Sequence, residues 1–203
     1  MIGFEQETDN IYRLKVPFDQ IYTSVFLLRL EGTTVLVDCA TTPSDVTDVI
    51  LPALEALGCP PRALSTLVLT HRHNDHAGGL EALLQYAPQI RVVTDVCSIA
   101  PMLETYPLAG HTADSIGVLD RRTGVLLSGD GLQGAGVDRY RCAIKYPSSY
   151  LETLDRIKHD KRIEIILFSH AYEPWYRDSA RGRAAVEACI CDCLRYVNIK
   201  KGD

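Results

Sequence analysis

The stretch Thr70-His-Arg-His-Asn-Asp-His-Ala-Gly-Gly79 constrains this chain more than any other. Four potential metal ligands, His71, His73, Asp75 and His76, fall within six positions, directly after the apolar run Leu67-Val68-Leu69. His71 and His73 are two apart, so on an extended segment leaving a strand they project to the same side. Asp75 and His76 follow where the chain turns toward a helix predicted by Leu80, Leu83, Leu84 and Ala87. Imidazole nitrogens with a hard carboxylate suit zinc or another first-row divalent ion. The plain alternative is a polar loop that merely carries histidines, and the rest of the chain speaks against it.

The flanking segments alternate strand and helix. Ile11 to Val16, Ile21 to Leu30 and Thr33 to Val37 are rich in β-branched and aromatic residues, with Glu31-Gly32 as a turn. From Asp45 to Leu57 the residues Val46, Val49, Ile50, Ala53, Leu54 and Leu57 form a helical stripe, stopped by Gly58 and Pro60-Pro61. Pro52 lies inside this stripe, where it removes a backbone bond. A strand at Thr66 to Leu69, a helix reaching about Ala87 and a strand at Ile90 to Val93 follow. Further strands are predicted at Thr105 to Leu108, Ser115 to Leu119, Val125 to Ser128 and Ile163 to Phe168. Ser149-Tyr-Leu-Glu152 reads as a capping box opening a helix with Tyr150, Leu151, Leu154 and Ile157 on one face. A last helix is predicted from about Asp178 to Val197. This makes two similar halves, each ending in a helix. Two mixed sheets face to face with helices on the outer faces, a four-layer α/β sandwich, would bury both sets. No linker composition separates the halves, so residues 1–203 are expected to form a single domain.

Composition excludes several function classes. The longest apolar runs fall short of the roughly 18 residues of a membrane helix. Met1 to Asn10 is polar and acidic, unlike a signal peptide, so a cytoplasmic chain is expected. A net charge of −5 and the lack of a basic stripe argue against nucleic acid as partner. Seven cysteines, an odd number spread along the chain, do not read as a secreted disulfide framework. Within Cys189-Ile-Cys-Asp-Cys193, Cys189 and Cys193 lie on an apolar stripe with Ala185, Val186, Ile190, Leu194 and Val197 and are expected in the core. Cys191 points away from that stripe.

Three more candidate ligands stand after predicted strands. They are His111 in Ala109-Gly-His-Thr112, Asp130 in Ser128-Gly-Asp-Gly131 and His170 in Phe168-Ser-His170. Each alone could be a turn aspartate or a hydrogen-bonded histidine; their conjunction with the first motif is what counts. His159, in the charged stretch Lys158-His-Asp-Lys161, reads as a solvated residue. Arg72, between two ligands, either faces substrate or, the favoured reading, faces solvent or packs behind the site. The His-x-His-x-Asp-His-x-Gly-Gly motif, Gly-His-Thr, Ser-Gly-Asp and the late strand-end histidine together resemble the metallo-β-lactamase-fold hydrolase superfamily. The resemblance covers roughly Ile21 to Tyr172. Asp38 matches that family's structural aspartate, and Cys39-Ala40 stands where Thr-Gly is usual.

The resemblance implies a dinuclear site. One divalent ion would take His71, His73 and His111, the second Asp75, His76 and His170, and Asp130 would bridge them. Zinc is the leading metal, with iron or manganese as alternatives. Two such ions hold a bridging hydroxide near neutrality, and Asp75 would orient it and accept its proton. The leading expectation is a hydrolase of a small ester, thioester or lactone. A phosphodiesterase and an iron-dependent sulfur dioxygenase are the alternatives. Departures from the family narrow the field. Asp130 stands where lactam-hydrolysing members with a mixed site carry cysteine. Gly131-Leu-Gln-Gly-Ala-Gly136 replaces the Gly-Cys-Gly-Arg run of glyoxalase II and the persulfide dioxygenases. Only one terminal helix fits where glyoxalase II adds a helical substrate domain, and the long insertion of nucleic-acid-processing members is lacking. Substrate selection then falls on Gly131 to Ser149, with Tyr140, Arg141, Lys145 and Tyr146 as candidates, and secondarily on Tyr172, Trp175 and Tyr176. The expected partner is a small molecule, without nucleic acid or membrane; oligomeric state is left open, a homodimer included.

Overall fold

Each apolar run of the first half becomes a strand, and the turns between them fall where the sequence marks them. The computed structural model describes residues 2–132, 144–171 and 177–201, with side chains described up to residue 197. Two compact units result, Met1–Thr94 and Asp95–Asp203, each built on a mixed six-stranded sheet with helices, so the class is α/β.

In the first unit β1 (Glu5–Gln6), β2 (Ile11–Phe18), β3 (Ile21–Leu30) and β4 (Thr33–Val37) pair antiparallel in chain order. Gly32, at φ 69°, makes the β3–β4 turn in a conformation that favours glycine. Val25 and Leu27 of β3 join a core with Leu14 and Leu36, while Phe26 and Leu28, pointing the other way, are equally buried. A strand buried on both faces reads as the unbroken apolar run seen in the sequence. The sheet continues with β5 (Thr66–Val68) and β6 (Arg91–Val93), both parallel to their neighbours.

The crossover from β4 to β5 accommodates its proline by changing its winding. Residues Asp45–Ile50 coil as a wide π-type turn that runs into α1 (Leu51–Ala56), with Pro52 at the junction. A proline ring clashes with the carbonyl four residues back in a regular α-helix, and the wider winding relieves that clash. Val46, Ile50, Ala53 and Leu54 face the core as their spacing predicts. Gly58, at φ 68°, ends the helix, and the Cys59 N–H donates back to the Leu54 carbonyl at 2.9 Å. The short helix α2 (Asn74–Ala77) and α3 (Leu80–Tyr86) then lead to β6.

The second unit repeats the plan. β7 (Ser98–Ala100), β8 (Leu103–Pro107), β9 (Ile116–Asp120) and β10 (Val125–Leu127) form an antiparallel meander. After α4 (Pro147–His159), β11 (Ile165–Leu167) runs parallel to β10 and is followed by antiparallel β12 (Ser179–Arg181) and α5 (Arg183–Lys201). Tyr150, Leu154 and Ile157 of α4 and Val186, Cys189, Ile190, Cys193 and Val197 of α5 share one core with Leu119, Leu126 and Ile166 of the sheet. Cys189 and Cys193 are therefore packing residues, and Cys191 is exposed. Asp160, just past α4, accepts from the Arg162 guanidinium at 2.6 Å and from the Tyr106 hydroxyl at 3.2 Å, which ties β8 to the end of α4. The Arg162 bond holds the Asp160 carboxyl below its ordinary value, while burial, aided by Asp160, pushes the Tyr106 hydroxyl up to about 12.

Four local expectations are corrected. Helix α4 begins at Pro147, with Tyr146 as its cap and no side-chain cap bond, so Ser149 and Glu152 lie inside the helix and form no capping box. Proline at the first helical position sets the start instead. Residues 179–181 are a strand, and the last helix starts only after Gly182, at φ 85°. β1 and β7 had no counterpart in the sequence reading. The first unit closes on β6, not on a helix.

Candidate metal centre

In the first unit the ligand candidates come from one short segment anchored by a neighbouring strand. β4 and β5 are parallel with Val37 opposite Val68, so Asp38 and the residues after Val68 leave the sheet side by side. Asp38 adopts φ 63° and is almost fully buried. Its Oδ1 accepts the Thr70 N–H at 2.8 Å, and its Oδ2 accepts from the Thr70 hydroxyl at 2.9 Å and lies 2.7 Å from His76 Nδ1. A hydrogen bond of that kind fixes a ring's tautomer and leaves its other nitrogen, here Nε2, as the donor for a metal.

The imidazoles of His71 and His73 lie edge to face with centroids 4.5 Å apart, in keeping with the two-residue spacing, and the His71 and His76 rings are 4.2 Å apart. His73 caps α2 in an extended conformation, and Asp75 and His76 sit in that helix, with His76 Nε2 at 3.5 Å from Asp75 Oδ2. Gly78 and Gly79 are required by close approach. A Cβ on Gly78 would strike the Thr41 carbonyl oxygen, and one on Gly79 would strike that of Cys39. Cys39 packs there with its N–H donating to the His76 carbonyl at 2.8 Å, and burial pushes its thiol far above the ordinary range. It is an inert packing group. Arg72 is exposed.

In the second unit the candidates come from three separate strand ends. β10 and β11 are parallel with Leu127 opposite Leu167, and Asp130 and His170 each stand three residues beyond that pair. β8 ends beside the start of β9, with Pro107 opposite Ile116, which brings the His111 loop to the same end of the sheet. That loop is closed by the Leu108 N–H donating to the Ser115 carbonyl and by Thr112 bonding Ser115 and Asp114. All three side chains are buried. Asp130 offers one carboxylate oxygen to each histidine: Oδ2 lies 3.5 Å from His111 Nε2 and Oδ1 lies 3.1 Å from His170 Nε2.

Each unit thus contributes histidine and aspartate side chains of the kind that hold a metal ion. The donor set, five imidazoles and two carboxylates, fits a borderline ion such as zinc. Of the substrate candidates, Lys145 and Tyr146 are exposed, and both donate their backbone N–H to the carbonyl of Gly110, next to His111, at 3.0 and 2.9 Å. Tyr140 and Arg141, and likewise Tyr172, Trp175 and Tyr176, lie outside the described residues. His159 is exposed at the end of α4 beside Asp155, as its sequence setting predicts. Thr70 carries a role that the sequence reading did not assign; its only signal was a hydroxyl directly before the first ligand.

The fold is that of the solved metallo-β-lactamases. Residues 19–94 match the family described as the metallo-beta-lactamase superfamily. Metallo-β-lactamase FIM-1 from Pseudomonas aeruginosa, solved in its mono-zinc form, superposes with a TM-score of 0.74 at 18% identity, covering 97% of this chain and 96% of that one. Among curated proteins, a hydroxyacylglutathione hydrolase from Methylobacillus flagellatus is 31% identical over 133 residues, 57% of this chain and 49% of its own length. Another hydroxyacylglutathione hydrolase, from Aeromonas hydrophila, is 27% identical over 177 residues, 74% of this chain and 66% of its own length. The chain therefore spans about half to two thirds of the curated relatives it matches. Among the described residues, no helix is long and apolar enough to cross a membrane.

Proposed function

We propose that this chain is a dinuclear-metal hydrolase of a small ester, thioester or lactone, with thioesters as the first class to test. His71, His73 and His111 would hold one divalent ion, Asp75, His76 and His170 the second, and Asp130 would serve both. Zinc is the metal best suited to these donors. The observation that carries the proposal is the Asp130 carboxylate, whose two oxygens are directed to two different histidines, as a bridging group requires. Thioesters come first because relatives at 31% and 27% identity are named for hydrolysis of an acylated glutathione.

When bound, two such ions would supply a hydroxide nucleophile at neutral pH and polarise the oxygen that gains charge. Asp75, largely buried beside His76, would orient the attacking water and accept its proton. Asp38 holds the His76 ring in the tautomer that leaves Nε2 as a ligand. Lys145 and Tyr146, fastened by their backbone to Gly110 beside His111, hold an acidic group and an oxyanion of the substrate, respectively. Tyr140 and Arg141 join them on the strength of sequence alone. The partner is a small molecule, neither nucleic acid nor membrane. A cytoplasmic setting belongs to the same proposal, on the strength of the sequence composition alone.

The test combines metal analysis with a panel of thioesters, lactones and phosphodiesters. Two zinc ions per chain and thioester or lactone turnover are expected, with Asp75→Ala lowering kcat by about 10²- to 10⁴-fold. Equal turnover by the wild type and that variant would refute the mechanism. One iron per chain with oxygen uptake would replace it by sulfur oxidation.

A further inference from the structure

We propose that Thr70 is a positioning residue that carries the Asp38 carboxylate's hold to a second ligand, His71, so that one buried acid sets two imidazoles assigned to different ions. The inference rests on the dinuclear reading above. His76 is held directly, with Nδ1 at 2.7 Å from Asp38 Oδ2. His71 is held one step further away. The Thr70 hydroxyl donates its hydrogen to Asp38 Oδ2 at 2.9 Å, and His71 Nδ1 lies 3.2 Å from the same hydroxyl oxygen. A hydroxyl has one hydrogen and two lone pairs. With the hydrogen committed to Asp38, the oxygen can only accept toward His71, so Nδ1 carries the ring proton and Nε2 is left bare for a metal.

The second contact of Thr70, 3.4 Å to His76 Nδ1, is the longer and competes poorly with the direct Asp38 bond. The Thr70 backbone N–H also donates to Asp38 Oδ1 at 2.8 Å, which fixes the side chain where this geometry is enforced. Thr70, Asp38, His71 and His76 are all nearly sealed from solvent, so bulk water does not replace a lost partner at low cost. Partners of this kind behind a ligand commonly change metal affinity by about 10- to 100-fold when removed.

The consequence is an asymmetry between the ions. Thr70→Val keeps the shape but removes the acceptor for His71 while leaving the His76–Asp38 bond in place. Metal titration should show the ion assigned to His71, His73 and His111 weakened by about 10- to 100-fold, with the other ion little changed. Thr70→Ser, which keeps the hydroxyl, should restore it. Long-range proton–nitrogen spectra of the metal-free wild type at alkaline pH should show His71 and His76 both protonated at Nδ1. This measurement needs neither a variant nor activity. His71 protonated at Nε2, or a Thr70→Val protein whose two metal affinities both match wild type or fall equally, would overturn the proposal. A wild type that binds no metal yet shows Nδ1-protonated His71 would leave the Thr70 relay standing and overturn the dinuclear reading instead.

Discussion

The two units present their donors in opposite ways. The first takes four from one segment, 71–76, and steadies it with a single aspartate from the adjacent parallel strand. The second takes three from the ends of β8, β10 and β11 and steadies them through each other, because Asp130 meets both His111 and His170. A contiguous cluster is held by backbone close to it, so its weak points are glycines and turns. A distributed cluster is held by sheet register, so its weak point is the residue that the others share.

That contrast can be broken first at Asp130. Asp130→Ala removes the shared residue and should cost both ions, with turnover falling by about 10³-fold, equivalent to about 4 kcal/mol of lost charge stabilisation. Metal content and kcat measured together check this. Retention of two ions at full affinity would show that the second cluster does not depend on its shared carboxylate.

A smaller effect is expected on folding in the contiguous cluster. Gly78→Ala would drive a Cβ into the Thr41 carbonyl, and the fixed backbone there should make it cost about 3 kcal/mol in urea unfolding. Gly131→Ala in the distributed cluster meets Leu108 Cβ at 2.8 Å, a far milder approach than the 1.9 Å at Gly78, and should cost nearer about 1 kcal/mol because a smaller shift relieves it. Equal costs would remove the distinction between the clusters.

The smallest effect has the opposite sign. Ala40 adopts φ 59°, a left-handed conformation strained for alanine, at a position where glycine is usual in the family that the sequence resembles. Ala40→Gly should relieve that strain, offset in part by the greater freedom of glycine in the unfolded chain, for a net gain of about 0.5 kcal/mol. Thermal melting should rise slightly; a fall would mean that the turn after Asp38 is held by something other than conformational preference.

The same contrast explains what the sequence disclosed. His71, His73, Asp75 and His76 announce themselves because the ligands of a contiguous cluster share a few residues of text. His111, Asp130 and His170 look ordinary one at a time, since their proximity is created by the register of β8 to β11. The strands Ile21–Leu30 and Thr33–Val37 are legible to the residue because both faces of β3 are buried and a glycine turn bounds them. Strands of two or three residues, such as β1, β7 and β12, are too short for any period to show. Their existence depends on a partner strand distant in sequence. Residues 178–182 read as part of the helix that follows because their composition suits either state, and only Gly182 marks the break. The capping box failed for a different reason: Pro147, two residues upstream, already provided a start that needs no side-chain bond. Thr70 could not be read at all, since a hydroxyl bridging a carboxylate and a ring is defined only once Asp38 is folded beside it.

The parallel register of β10 and β11 has a further consequence for how such a protein can change. Asp130 and His170 are each fixed by counting three residues from a paired leucine, Leu127 or Leu167, and the chain between Asp130 and β11 enters neither count. Residues 131–149, proposed to choose the substrate, lie inside that uncounted stretch. Insertions and deletions there leave the ligand count intact, whereas removal of one residue between Leu127 and Asp130 would turn the carboxylate away. Selectivity can drift while the metal chemistry is inherited unaltered.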